Sequence, residues 1–566
     1  MHMMELTFQF PDPKTTEPMR RFVQRTLEMI PGTLLWATLL GMIVVSWLAP
    51  VGAAMFVIIY DIYWIHLTAY VALFSTIAFR NLRRGQRINW WERCARVLHV
   101  ETYRKEIEDR AEYIGRVIRE EPLTWKEKRI LRREQRELRG FAGELGELVP
   151  IKEQILDYRE IIHVVSLPTA NEGSEIIEPA LAAIAASSFP KAQIIVILAT
   201  EEREPEATRL PKVKYLSEKF EGVFHDFIVT THAVEAGEMK CKASNVGYAA
   251  RKLIGYLDER HIDYKNVIFS NFDCDSVVHP EYFSALTYHY ITDPKRLQRA
   301  YQPIPMYHNN IWDTNAFVRV MVTGSSFWHM YQSTRKSMVT FSSHSEAFDT
   351  LVKVGFWPIN MISEDSVIYW KGVSYFHGDY EVIPIPLPIS LDAVLAETYW
   401  KTLQNEYKQK RRWAYGIENF PVTMRALWPD PKVRLGKKLS VTIEMLEGHY
   451  SWATSPLIIA FLGWLPLFLG GVAFNESVLA HNLPSITRIL MNLALIGLVL
   501  FVSLSFLMLP PRPAKYGRMR TVLMFSQWFL APLIALLGAF PAIDSQTRML
   551  LGKYFGEFWV TEKMRK

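Results

Sequence analysis

Apolar and charged positions are segregated along this chain rather than mixed. Two apolar stretches, Thr33 to Leu48 and Val51 to Phe79, are split by Pro50 and read as a transmembrane hairpin over residues 33–79. Between Trp90 and Tyr158 the pattern turns to Glu, Arg, Lys and Leu at helical spacing, as in Leu131, Leu138 and Leu145, which predicts a helical connector over 80–160. At Ile161 it changes again. Ile161 to Leu167 reads as a buried strand ended by Pro168, and Ile194 to Leu198 as a second, with an Ala- and Ile-rich helix over Glu175 to Ser188 between them. Further strands at Phe227 to Thr230 and Val267 to Ser270 enclose a helix over Ala243 to Leu257. This alternation predicts an open parallel α/β sheet of the Rossmann-like kind over 161–390, binding ligands at its strand ends.

Past Trp428 the chain is apolar again, with candidate spans at Ala453 to Phe474, Ile486 to Leu509 and Thr521 to Ile543. They make a C-terminal transmembrane region over 451–545, preceded by interfacial helices over 391–450. Cytoplasmic flanks of membrane helices collect Lys and Arg. Arg80, Arg83, Arg84 and Arg87 follow the hairpin, and Arg512, Lys515, Arg518 and Arg520 crowd one late loop, whereas residues 475–484 carry neither Lys nor Arg. The α/β domain is therefore expected in the cytoplasm, at the inner (plasma) membrane of a bacterium. The last apolar stretch either crosses or, broken near Pro532, folds back. A tail over 546–566 with Arg548, Lys553, Lys563, Arg565 and Lys566 favours the cytoplasmic side. The leader over 1–32 carries Glu17 and Glu28 and no small-residue cleavage site, so it reads as cytoplasmic and the first span as a retained anchor.

The 566 residues are 49% hydrophobic and 22% charged, with a net charge of +6. The length calls for a soluble domain plus a further module. The basic residues lie beside apolar spans, so anionic lipid headgroups are the expected partner and nucleic acid is not. Cys94, Cys241 and Cys274 have neither paired nor metal-ligand spacing, as in a reducing compartment.

The candidate chemistry centres on Ser270-Asn271-Phe272-Asp273-Cys274-Asp275, where Asp273 and Asp275 leave a strand end on one face. Paired carboxylates suit a hard divalent cation, Mg²⁺ or Mn²⁺, shared with the diphosphate of a nucleotide. An Asp-x-Asp in a turn is common, and its companions give it meaning. Pro168-Thr169-Ala170-Asn171-Glu172 closes the first strand, Glu201-Glu202 closes the second, and Lys242 opens a helix before the Asp pair. Each stands where a Rossmann-like sheet binds nucleotides.

Downstream come Ser363-Glu364-Asp365 and then Gln409-Lys410-Arg411-Arg412-Trp413, with Gly416 beyond. The ordered set over Ile161 to Gly416, with its flanking helices, resembles the family 2 glycosyltransferases, and among them membrane synthases of the cellulose, chitin and hyaluronan type. The resemblance implies a GT-A fold, a UDP- or GDP-sugar donor, and Asp273 and Asp275 at the metal and diphosphate. It implies Asp365 as the base that deprotonates an acceptor hydroxyl, with inversion, and Glu364 as its neighbour on the acceptor side. Arg412 and Gln409 would attend the departing diphosphate, and Trp413 would stack on the acceptor sugar. The first acidic motif of the family is here Glu201-Glu202, and the usual Gln-Arg or Gln-Gln pair is Gln409-Lys410.

The leading expectation is a synthase that elongates a glycan at the cytoplasmic face. Two alternatives stand beside it: transfer of one sugar to a lipid-linked or glycolipid acceptor, and a silent membrane scaffold that keeps a nucleotide-binding fold. Thr231-His232 and Gly237-Glu238 read as an elaboration of the nucleotide site, and Asp61 and His66, costly in lipid, as facing protein, each other or a polar path.

Overall fold

The structure is a computed structural model that describes residues 18–235, 237–556 and Met564. Glu17, Lys563, Arg565 and Lys566 lie outside the described residues.

Eight strands form one sheet: β1 Ile162–Pro168, β2 Ile194–Glu201, β3 Asp226–His232, β4 Val267–Asn271, β5 Val277–Val278, β6 Arg299–Met306, β7 His344–Ala347 and β8 Glu381–Ser390. Their spatial order is β3-β2-β1-β4-β7-β6-β8-β5. The first four are mutually parallel, with β1 paired to both β2 and β4. β7 then runs antiparallel to β4 and β6, while β8 is parallel to β6. The runs of Ile and Val in β1 and β2 follow from burial on both faces. Val164, Ile195 and Ile197 pack beneath the helices Lys242–Glu259 and Glu364–Tyr375, and Val165, Val196 and Leu198 pack against Ser174–Ala185 and Tyr282–Thr292. Chain order reverses between β1 and β4, which opens a crevice beyond their carboxyl ends.

The connector is helical as expected, over Trp90–Arg96, Val100–Glu120 and Trp125–Leu148. The third helix starts on a capping box in which Thr124 and Glu127 satisfy each other's backbone N–H. Tyr103, Phe141 and Leu145 bury against the sheet domain.

Among the described residues four helices are long and apolar enough to cross a membrane: Pro18–Leu48, Pro50–Gly85, Val478–Met508 and Arg518–Leu550. The expected span at Ala453 to Phe474 differs. Its helix begins earlier, at Leu435, ends at Ala460, and turns by 49° into the short helical run Leu462–Leu469. Pro466, which has no N–H to donate, stands beyond that bend in the first turn of the helix Leu465–Leu469. In the stretch expected to hold interfacial helices stand the helices Tyr399–Ala414 and Asn419–Leu427, while residues 391–398 are not helical.

The last apolar segment meets the sheet-bearing domain near its start and the helix Tyr399–Ala414 near its end. Near its start, Arg520 donates to the Trp312 carbonyl at 3.0 Å and Gln527 accepts from Arg319 at 2.7 Å. Near its end, Arg411 donates to Asp544 at 3.2 Å and Ser545 donates to the Arg411 carbonyl at 2.8 Å. Asp61 is buried and accepts from Thr487 at 2.9 Å, so it faces protein, whereas His66 is exposed, with its ring 6.2 Å from that of Tyr70 one turn on in the same helix.

The membrane hairpin docks directly on the sheet. A Cβ on Gly85 would lie 2.0 Å from the Pro386 carbonyl oxygen of β8, so only glycine permits this approach. Trp90 Nε1 donates to the Gly85 carbonyl at 2.9 Å and fixes the exit from the helix.

Candidate active site

Lys242 lies at the centre of the candidate chemistry. It opens the helix Lys242–Glu259, where a positive charge opposes the helix dipole. Three carboxylates compensate. Its ammonium lies 2.7 Å from Asp273 Oδ1, 3.4 Å from Asp365 Oδ1 and 3.5 Å from Glu364 Oε1. Burial works against the ammonium, yet Asp273, Asp365 and Glu364 together raise its pKa above the ordinary lysine range. Residues 242, 273 and 364–365 are thus brought together from three elements at the carboxyl edge of the sheet.

The loop carrying Glu364 and Asp365 is fastened from behind. Glu418, buried beyond the helix Tyr399–Ala414, accepts the backbone N–H of Ile362 at 2.8 Å and of Ser363 at 2.7 Å, and the Ser363 hydroxyl at 2.7 Å. Thr340 donates to the Asp365 carbonyl at 2.5 Å, and Asn419 donates to Ser366 at 2.7 Å. Burial and then the charge of Asp365 push the Glu364 carboxyl up to about 8, against the pull of Lys242 and Arg412. Burial likewise pushes Glu418 up to about 7.

Asp273 is held from its other side by the Ser342 hydroxyl, and Ser343 Oγ lies 2.7 Å from Ser276 Oγ. Ser343 has φ +65°, a left-handed conformation that costs a non-glycine residue about 1 kcal/mol or more. His344, next along β7, donates Nδ1–H to the Phe341 carbonyl and keeps that nitrogen 3.8 Å from Asp365. Asp275 is buried, and its Oδ2 accepts the Asp392 backbone N–H at 2.7 Å, just past β8.

The two Asp side chains fit a hard divalent cation in donor chemistry: carboxylate oxygens two residues apart at one strand end, with the Asp273 side chain 29% exposed to the crevice. Among the described residues no three His, Cys, Asp or Glu side chains gather as a full metal cage. A cation here would share its coordination with phosphate or water, as Mg²⁺ usually does.

The remaining expected donor residues stand at neighbouring strand ends. Pro168 ends β1, and Thr169 N–H donates to the Ala199 carbonyl at 2.8 Å. Glu172 turns its carboxylate back onto the N–H groups of Ala170 and Asn171, at 2.8 and 3.1 Å. Glu201 is buried beside Arg203, and burial raises its pKa despite that guanidinium. Glu202 is exposed, with its N–H on the His232 carbonyl at 2.9 Å. His232 Nε2 pairs with Glu238 at 2.9 Å, and both line a cavity of about 330 Å³ with Tyr248, Arg251 and Lys252.

Farther along the chain, Gln409 is buried in the helix Tyr399–Ala414, and the charge of Arg412 reaches Glu364. The Lys410 ammonium lies 3.9 Å from the Trp413 ring centroid and donates to Ser325 at 2.9 Å. Burial holds Lys410 below the ordinary lysine range. Trp413 packs near Tyr307, at 6.3 Å between rings, among Met524 and Phe506 of the C-terminal helices. One face of the indole therefore carries a cation.

Ser342, Ser343, His344, Asp392 and Glu418 were not singled out from sequence. The only local signal was the polar run Ser342-Ser343-His344-Ser345 between apolar segments.

Residues 271–540 match the family model described as glycosyl transferase family group 2. A poly-β-1,6-N-acetyl-D-glucosamine synthase of Staphylococcus epidermidis is 33% identical over 115 residues, which is 20% of this chain and 25% of that protein. The chain thus matches about a quarter of that relative's length. Among solved structures, a mannosyltransferase of Pyrobaculum calidifontis in complex with GDP-Man and Mn²⁺ aligns at 14% identity and a TM-score of 0.37, covering 69% of this chain and 88% of that one. S. aureus TarS 1–349 in complex with UDP-GlcNAc aligns at 11% identity and a TM-score of 0.33, covering 70% and 93%. The family match takes in the Asp273 and Asp365 motifs, so residues 271–540 are similar to the glycosyltransferases of family group 2.

Proposed function

We propose that the protein transfers a sugar, with inversion, from a UDP- or GDP-sugar to a growing glycan at the cytoplasmic face of a bacterial plasma membrane. The convergence of Asp273, Glu364 and Asp365 on Lys242 carries this reading. The Asp365 carboxylate takes the proton of an acceptor hydroxyl. The freed oxygen forms a bond to the anomeric carbon as the bond from that carbon to the diphosphate oxygen breaks, and the diphosphate leaves with the electron pair. Lys242 and Arg412 offset the charge that develops on it. Asp273 and Asp275 would hold Mg²⁺ or Mn²⁺, which supplies charge neutralisation to a bound diphosphate. Pro168, Thr169, Glu172, Glu201 and Glu202 border the nucleoside half of the donor, and Gln409 its diphosphate. Glu364 and Trp413 border the acceptor.

The relative named as a polysaccharide synthase supports a polymeric product. The contacts made by both ends of the segment Arg518–Leu550 support its lying along one side of the bilayer, with the tail on the side of the sheet domain. Release of nucleoside diphosphate from a panel of nucleotide sugars, with and without Mn²⁺, tests the donor chemistry. Turnover with one sugar nucleotide, lost on chelation and regained with Mn²⁺ or Mg²⁺, is expected. Product length after brief turnover then tests polymerisation, and a single added sugar would replace the polymer reading with transfer to a lipid-linked acceptor.

A further inference from the structure

Lys212 and Glu204 form an ion pair almost wholly withdrawn from solvent, with side chains 5% and 3% exposed. Neither takes part in the chemistry above. The Lys212 ammonium donates to both Glu204 carboxylate oxygens at 2.7 and 2.8 Å, to the Glu172 carbonyl at 3.0 Å and to the Thr169 hydroxyl at 3.4 Å. All of these partners lie in two loops. Thr169 and Glu172 belong to the loop after β1, and Glu204 to the turn after β2, where its N–H donates to the Glu201 carbonyl at 3.1 Å. Lys212 itself comes from the helix Glu206–Lys219, underneath both.

Burying an ion pair is a poor route to stability, since desolvation of both charges offsets most of their attraction and apolar side chains of similar volume often do better. What an apolar pair cannot do is donate to a carbonyl and a hydroxyl in one loop while holding a carboxylate in the other. The loop after β1 is otherwise tied to β2 through the Thr169 N–H on the Ala199 carbonyl, and to itself through Glu172 and the N–H groups of Ala170 and Asn171. Lys212 supplies the link that sets its distance from the Glu201 turn.

We infer that Lys212 is a positioning residue for donor binding, which fixes the spacing between the Thr169–Glu172 loop and the Glu201–Glu204 turn so that both engage the nucleoside together. It acts through these loops and touches no reacting atom. The inference rests on the reading of these loops as the donor's nucleoside site.

The test uses the full chain in lipid nanodiscs, with UDP and GDP as calorimetric probes beside donor KM, kcat and Tm. Lys212→Met is expected to weaken nucleoside diphosphate binding and raise donor KM roughly tenfold, with kcat at saturating donor nearly unchanged. Lys212→Arg should recover part of the affinity. The double variant Lys212→Met with Glu204→Leu should recover Tm and leave KM high. Unchanged KM in Lys212→Met, or recovery of both Tm and KM in the double variant, would overturn the inference. Wild-type protein that binds neither UDP nor GDP would instead overturn the donor-site reading beneath it.

Discussion

The Glu418 carboxylate accepts both the backbone N–H and the hydroxyl of Ser363, each at 2.7 Å. Ser363 is two residues before Asp365, so a side chain beyond the Trp413 helix sets where the proposed base stands. All three bonds, with that from Ile362, end on one oxygen. Glu418→Gln can keep that acceptor, whereas Glu418→Ala takes it from the Ile362 and Ser363 N–H groups, at a cost of about 1–3 kcal/mol. The expected outcome is a large loss of kcat in Glu418→Ala with donor affinity preserved, and near-normal kcat in Glu418→Gln. Steady-state kinetics on the two variants checks it.

Asp365→Asn removes the proposed proton acceptor but keeps the size of the side chain. Turnover should fall by roughly 10²–10⁴-fold, the range typical of a lost general base. Nucleoside diphosphate binding should persist. Full activity would end the assignment of Asp365 as base.

Lys242→Met leaves Asp273, Glu364 and Asp365 facing one another without their shared cation. We expect activity to fall by about 10²-fold or more. The optimum metal concentration should shift in the same variant, because the Asp273 carboxylate loses its ammonium partner. Titration of activity with Mn²⁺ in wild type and variant measures both effects.

Glu346, buried on β7, gives a stability prediction apart from catalysis. Burial pushes its carboxyl up to about 8 from 4.5. Below about pH 4.5 folded and unfolded chains both hold the proton, and between there and about 8 only the folded chain does. Each rise in pH across that window therefore favours the unfolded chain. Tm in nanodiscs should fall between pH 5 and 9, on the order of degrees, and Glu346→Gln should flatten the fall.

Gly85→Ala drives a methyl group into the Pro386 carbonyl of β8. The expected cost is about 1–3 kcal/mol, as for other overpacked contacts. A lowered Tm with an unchanged membrane fraction checks that the damage is at the docking point and not in insertion.

Much of this architecture is legible in sequence where one local pattern decides it. β1, β2 and β4 are runs of Ile, Val and Phe, and the helix from Lys242 alternates as a buried helix should. β8 escapes such reading because its Pro384, Pro386 and Pro388 remove ladder donors, and β6 carries Pro303 and Pro305. β7 is only His344-Ser345-Glu346-Ala347, a strand made by its two neighbours rather than by its own residues. The site divides in the same way. Asp273, Asp275, Asp365, Arg412 and Trp413 are spaced in recognisable motifs, while Glu418, Ser342 and Asp392 are ordinary polar residues until folding sets them against those motifs.

The glycine contact at Pro386 also reaches the chemistry. Pro386 stands four residues before the end of β8, and the Asp392 amide just beyond that strand holds Asp275. One strand is thus pressed by a membrane helix at one point and positions a carboxylate of the crevice at another. On the proposed reading, bilayer thickness and lateral pressure, which tilt and shift such helices, are expected to act on sugar transfer through this linkage, so that rates in thin and thick lipids differ.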